Sequence, residues 1–261
     1  MPQGKYPHKR TCLMRQLLRT VLLIALCVVY LCDRSALDFA AGLSGRPWLI
    51  ALWLWLLADI VSRMLPLPWH PIGMTKWRGS RYIPRTPQPD AAALQAEKRR
   101  LNRQLLPTLI VYAIANSWYW LPCAAYALTG RPAFIGSLGA PELLLITALY
   151  YFGDTVFILI FCPFRDIALN NRCCTACRIY NYDAIMTVTP LLLMPCTLFS
   201  APLIALSLLY AIIWEVSLQR HPERFSLRFN AALACGSCGC DHCPTKRPFW
   251  PLSKLRKKAT S

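Results

Sequence analysis

Residues 184–217 form an apolar run of 34 positions in which Glu215 is the only charged side chain, and this run constrains the fold more than any other stretch. As one straight helix it would be ~50 Å long at ~1.5 Å per residue. A bilayer's hydrocarbon core is only ~30 Å thick. The run also contains Pro190, Pro195 and Pro202, each of which removes a backbone donor and favours a break. The segment is therefore expected to cross a membrane twice, or to dip in and return as a re-entrant hairpin turning near 195–202.

Four shorter apolar stretches, at 17–32, 48–65, 105–128 and 143–162, each approach the ~20 residues that a spanning helix needs. Only 16% of the 261 residues are charged, 56% are apolar, and the mean hydropathy is +0.36. The fold class expected is all-α: a polytopic integral membrane helical bundle of about six membrane segments, the last two forming a short or re-entrant hairpin.

The net charge of +17 does not describe a nucleic-acid surface, because the 29 Lys and Arg are distributed by loop. Five lie in the N-terminal region, two between the first two spans and nine from Arg63 to Arg103. One follows in the next loop, three lie in 162–183 and nine after residue 217. This alternation is the positive-inside pattern. It places the N-terminus, the 64–104 loop and the C-terminal tail in the cytoplasm, in a cytoplasmic (inner) or plasma membrane. Partners of that arrangement are a bilayer with anionic headgroups and a redox partner, with no nucleic acid.

Six regions follow. Residues 1–65 hold a retained signal-anchor and the first transmembrane hairpin. Residues 66–104 are a basic, Pro-rich cytoplasmic loop ending in an interfacial helix, 91–104, with Asp90 as its cap. Trp69, Trp77 and Tyr82 in that loop suit the headgroup layer. Residues 105–162 are the second hairpin, 163–183 a cytoplasmic Cys-rich loop and 184–217 the broken membrane hairpin. Residues 218–261 are a Cys-rich basic cytoplasmic tail, opened by a juxtamembrane amphipathic helix over 221–230.

Three polar side chains inside apolar runs are candidates for function. Asp59 lies four residues before Arg63, the helical spacing for an ion pair. Asn116 is placed to hydrogen-bond between helices. Asp154 lies ~12 Å along the helix axis from Cys162, where an acid is costly and by default a functional candidate. It either handles a proton or cation or pairs with Asn116, Tyr150 or an arginine. Gly153 beside it is expected to permit close helix approach.

Eight of the 13 cysteines lie in two clusters. Cys162, Cys173, Cys174 and Cys177 precede the broken run, and Cys235, Cys238, Cys240 and Cys243 follow it. Cys-x-x-Cys spacing lets one turn offer two sulfurs to a metal or close a redox disulfide. On a reducing cytoplasmic face, clustered thiols more often bind metal than form structural disulfides. Soft thiolates select zinc or iron–sulfur clusters, so all eight are candidate metal ligands. The tail spacing is not the Cys-x2-Cys-x2-Cys-x3-Cys of bacterial ferredoxins. The function expected is thus a membrane protein with a cytoplasmic-face thiolate metal site, zinc or iron–sulfur, for electron transfer or metal-dependent regulation. The alternatives are a quinone-linked membrane thiol–disulfide oxidoreductase and an ion or small-molecule transporter using Asp154. No phosphate loop, Ser/His/Asp arrangement or His-Glu-x-x-His motif is present.

Overall fold

The computed structural model describes residues 9–38, 47–65, 82–85, 90–129, 138–159, 162, 177–193 and 199–233. Regular structure among them is helical, apart from one isolated antiparallel bridge between Pro84 and Asn230. Helix α1 is Lys9–Cys32, a run of Leu, Val and Ile without Gly or Pro, and a 3-10 turn, Arg34–Leu37, closes it. Helix α2, Pro47–Met64, starts on the proline that its first position tolerates. Helix α3, Ala91–Asn102, is capped by the Asp90 carboxylate, which accepts from Ala93 N at 2.7 Å. A short turn leads into α4, Leu105–Thr129, and α5 is Ala140–Leu159.

The long apolar run is divided. Helices α6 (Arg178–Asn181) and α7 (Asp183–Val188) lead into a 3-10 segment, Thr189–Leu193. Helix α8, Ser200–Arg220, follows with Pro202 in its first turn, where the missing N–H breaks no helical bond.

Three described helices are long and apolar enough to cross a membrane: Leu13–Cys32 of α1, Pro47–Met64 of α2 and Ser200–Arg220 of α8. This suggests a membrane protein. Among the described residues these are three of about six segments expected. The middle of α4 is diluted by Asn116, Ser117, Trp118, Tyr119 and Trp120, with Pro122 inside the helix. Helix α5 carries Glu142 and Asp154 and is packed by α1, α7 and the 3-10 segment after α7. By contrast α1 leaves Leu17, Val21, Ile24, Val28 and Leu31 exposed along one side, which suits a helix packed on one face and facing lipid on the other.

The main core joins α1, α2, α5, α7 and α8 through side chains that include Leu26, Leu52, Leu56, Leu144, Tyr151 and Leu203. A second core, Leu101, Ala184, Tyr210, Trp214, Leu218 and Phe225, holds α3 against the C-terminal half of α8. The rings of Trp214 and Phe225 meet edge to face at 5.0 Å.

Two local expectations are corrected. Residues 221–230 are not an amphipathic helix: a 3-10 turn, Pro222–Phe225, is followed by a second turn over 227–229, in which Asn230 N donates to Ser226 O at 2.9 Å, and by a bridge from Asn230 to Pro84. Arg85 N donates to Phe229 O at 3.0 Å and Ala231 N to Ile83 O at 2.8 Å, and the Asn230 amide donates to Arg224 O at 2.7 Å. Two successive turns and pairing with 83–85 thus take the place of a continuous helix. Among the described residues Gly153 is not a point of close approach either, since a Cβ there would meet none of them within 4 Å.

Candidate functional site

Helices α1 and α5 run antiparallel and are clamped at both ends. At one end Tyr30 Oη and Arg34 Nε each donate to Glu142 Oε1 at 2.7 Å, and Glu142 Oε2 accepts from Gly139 N at 2.8 Å. The other clamp lies twelve positions along α5, ~18 Å away at helical rise. There Arg19 Nη1 donates to Asp154 Oδ2 and to Tyr151 O, both at 2.8 Å. The Arg19 guanidinium also lies 3.8 Å over the Tyr151 ring, a cation–π contact strengthened by removal from water.

That second clamp is part of a larger network. Arg19 Nη2 reaches Asp59 Oδ2 at 3.3 Å. Arg63, one turn after Asp59 on α2, donates to the same oxygen from Nε at 3.1 Å and from Nη2 at 2.9 Å. Its Nη2 also meets Asp154 Oδ2 at 3.2 Å, and its Nη1 bonds Asp183 Oδ2 at the start of α7. Two guanidiniums and three carboxyls from four helices therefore converge. Each side chain is only 5–12% exposed. A charge buried this deeply is tolerated only when it is paired and hydrogen-bonded, and the forked guanidinium can serve several oxygens at once.

Below this network a second arginine junction ties α3, α6 and α8 together. Arg178, 1% exposed, donates to Leu101 O and Asn102 Oδ1 at 3.0 Å and to Glu215 Oε2 at 2.9 Å. Tyr182 Oη donates to Glu215 Oε1 at 3.2 Å. Burial, with the adjacent Glu215 carboxylate, pushes the Tyr182 hydroxyl pKa up to about 12.

The candidates from the sequence fall as follows. Asp59 and Asp154 meet in the network, Asp59 with the Arg63 expected and Asp154 with arginines rather than Asn116 or Tyr150. Asn116 is buried, but its bonds stay within α4 instead of crossing to another helix. Its amide donates to Tyr112 O at 2.6 Å, and Tyr119 Oη donates to its carbonyl. Tyr150 Oη instead donates to Ala115 O at 2.6 Å.

Among the cysteines, Cys162 is partly buried beyond the end of α5, and Cys177 is buried at the residue that precedes α6. Cys173, Cys174, Cys235, Cys238, Cys240 and Cys243 lie outside the described residues. Among the described residues no group of three or more His, Cys, Asp or Glu side chains is arranged to hold a metal ion.

Sequence reasoning missed Arg19 and Asp183. In the sequence Arg19 falls among the basic residues of the N-terminal region and Asp183 at the end of the polar loop. The signal that could have found them is charge balance: acids inside apolar helices require buried cations. No family model matches the chain, and neither curated protein sequences nor solved structures give a match.

Proposed function

We propose that this chain is an integral membrane protein of about six membrane segments whose two cysteine clusters form a thiolate metal site on the cytoplasmic face. The metal is zinc or an iron–sulfur cluster, and the site serves electron transfer or metal-dependent regulation. Cys162, Cys173, Cys174 and Cys177 supply sulfur from the loop, and Cys235, Cys238, Cys240 and Cys243 from the tail.

One observation carries this reading: the described residues that flank both clusters are tied together at one end of the helices. Arg63 bonds Asp154, eight positions before Cys162, and Asp183, six positions after Cys177. Arg178, beside Cys177, bonds Glu215 near the C-terminal end of α8. The chain then passes through Phe225, packed on Trp214, to Leu233, two positions before Cys235. These contacts support the reading that loop and tail approach each other on one side of the fold. Thiolates on such segments can share a metal without either segment crossing the bundle.

The test is elemental analysis and an absorption spectrum of the full chain, purified in detergent under reducing conditions. Zinc or iron in simple ratio to the chain, lost on Cys238→Ser with Cys174→Ser, is expected. Protein that holds neither metal while its thiols stay reactive overturns the reading. So does rapid labelling of the tail cysteines by an impermeant thiol reagent applied outside intact cells.

A further inference from the structure

Two basic regions far apart in the chain meet in the fold. Residues 66–104 carry eight Lys and Arg against two acids, and residues 218–261 carry nine against two. They are joined where α3 meets the end of α8. Gln219 Nε2 donates to Asn102 Oδ1 at 2.8 Å, and Arg103 and Arg220, the next residue on either side, flank that contact. Arg99 lies one turn before Arg103, whose N–H donates to Arg99 O at 3.0 Å. All three arginines are exposed.

The carboxylates of these segments are engaged elsewhere. Glu97 accepts from Arg100 Nε and Glu215 from Arg178 Nη2, both at 2.9 Å. Glu223 lies 3.2 Å from His221 Nδ1, and Asp90 caps the far end of α3. Among the described residues no carboxylate pairs with Arg99, Arg103 or Arg220. Both helices end at this junction, and their dipoles favour cations there. That lets the arginines stand side by side, but it leaves their outward donors without a charged acceptor. Like charges gathered in this way repel, and an anion among them relieves the cost. The guanidinium fork matches phosphate oxygens two donors to two acceptors.

Depth in the fold identifies the source of that phosphate. Helix α8 is long and apolar enough to cross a membrane, and it ends on Arg220. Its exposed side runs through Leu208, Leu209, Ile212 and Val216. Arg220 continues that side one helical turn, ~6 Å, beyond Val216. In a bilayer the apolar stripe then lies among acyl chains and the guanidinium among headgroups, where long basic side chains are favoured. Leu106, exposed on the first turn of α4, follows Arg103 by three positions.

We propose that Arg99, Arg103 and Arg220 bind the headgroup phosphate of an anionic phospholipid whose acyl chains lie along the exposed side of α8. The site presupposes the proposed membrane crossing of α8 and is independent of the thiolate metal. A lipid held there bridges α3 to α8 at the same junction as the Asn102–Gln219 pair.

The experiment is native mass spectrometry of the full chain in detergent, titrated with phosphatidylglycerol or with phosphatidylcholine of the same acyl chains. Wild type is expected to hold one phosphatidylglycerol roughly tenfold more tightly, the size expected when several basic side chains face one charged headgroup. Arg99→Gln, Arg103→Gln and Arg220→Gln combined are expected to bring the two lipids within about a factor of two. Lys254→Gln, Lys257→Gln and Lys258→Gln combined remove the same charge from the C-terminal tail and are expected to keep the preference. If circular dichroism shows that the triple arginine variant does not fold, Arg220→Gln alone is read, with a loss of about threefold expected. Equal affinity of wild type for the two lipids overturns the assignment. So does a preference that survives the arginine variants or vanishes with the tail variant. A single-stranded RNA that displaces the lipid at equal phosphate concentration overturns it in favour of another polyanion. Recovery of the chain in the soluble fraction of lysed cells without detergent overturns the membrane reading and this site with it, which separates that failure from the others.

Discussion

Arg19 and Asp154 stand 135 positions apart in the chain and share a 2.8 Å hydrogen bond between ionised groups. The contact locks α1 onto α5, and it lies where the carboxylate of Asp154 Oδ2 also receives Arg63. Removing one partner from a buried network leaves the others uncompensated, at a cost of ~3–5 kcal/mol. Arg19→Leu is therefore expected to lose stability of that order in denaturant titrations of the detergent-solubilised chain. Arg19→Lys is expected to fall between it and wild type. A single ammonium cannot reach the Tyr151 carbonyl, Asp154 and Asp59 as the guanidinium does. A wild-type midpoint for Arg19→Leu would show that the network does not hold the two helices together.

The sequence made half of this network legible. Asp59 and Arg63 sit at the spacing of one helical turn, so their pair follows from local geometry. Asp154 stands out as an acid inside an apolar helix. Arg19 and Asp183 could not be read the same way, because their partners lie on other helices and each sits beside residues that explain its charge cheaply. Periodicity reports which helix a residue belongs to, and only packing reports which helices are neighbours. The same limit explains Asn116, whose polarity suggested a partner on another helix although Tyr112 and Tyr119 of its own helix satisfy it. The 221–230 segment departs from a helix for a related reason, since its end pairs with Ile83 and Arg85, about 145 positions earlier, while local turns hold the rest.

Arg178 is the only described link from α6 to both Asn102 of α3 and Glu215 of α8. Helix α3 has only two large apolar side chains, Leu94 and Leu101, and is joined to the bundle through Leu101, this guanidinium, the Asn102–Gln219 hydrogen bonds and the turn Pro222–Phe225. Arg178→Gln should release α3 without melting α1, α2 or α5. Hydrogen exchange read by mass spectrometry would show several-fold faster exchange over 91–102, with the main core unchanged. Uniform loss of protection would instead assign Arg178 to global stability.

At the other end of α3, the Asp90 carboxylate satisfies one of the orphan amide donors by accepting from Ala93 N. Replacing an aspartate cap by alanine costs ~1 kcal/mol. Asp90→Ala is expected to speed exchange at the first turn of α3 by roughly fivefold, the equivalent of that energy at RT ≈ 0.59 kcal/mol. Asp90→Asn, which keeps a capping oxygen, is expected to stay within a factor of two of wild type. Equal behaviour of the two variants would remove the cap from the account of how α3 begins.

Gly153 separates a reading based on residue type from one based on surroundings. A glycine in the middle of a membrane-apolar helix suggests that a neighbouring backbone comes close, and in that case a methyl group would force the helices apart. Among the described residues nothing lies within 4 Å of a Cβ at Gly153, which is helical within α5. A methyl group there meets no described residue, and alanine is preferred over glycine in a helix interior by up to ~1 kcal/mol. Gly153→Ala should therefore match or exceed wild-type stability, with the Arg19–Asp154 clamp one residue away undisturbed. The same denaturant titration measures it. A fall in the midpoint would mean that another segment lies against this face of α5, whereas a rise marks Gly153 as a position at which the chain tolerates flexibility beside its buried charges.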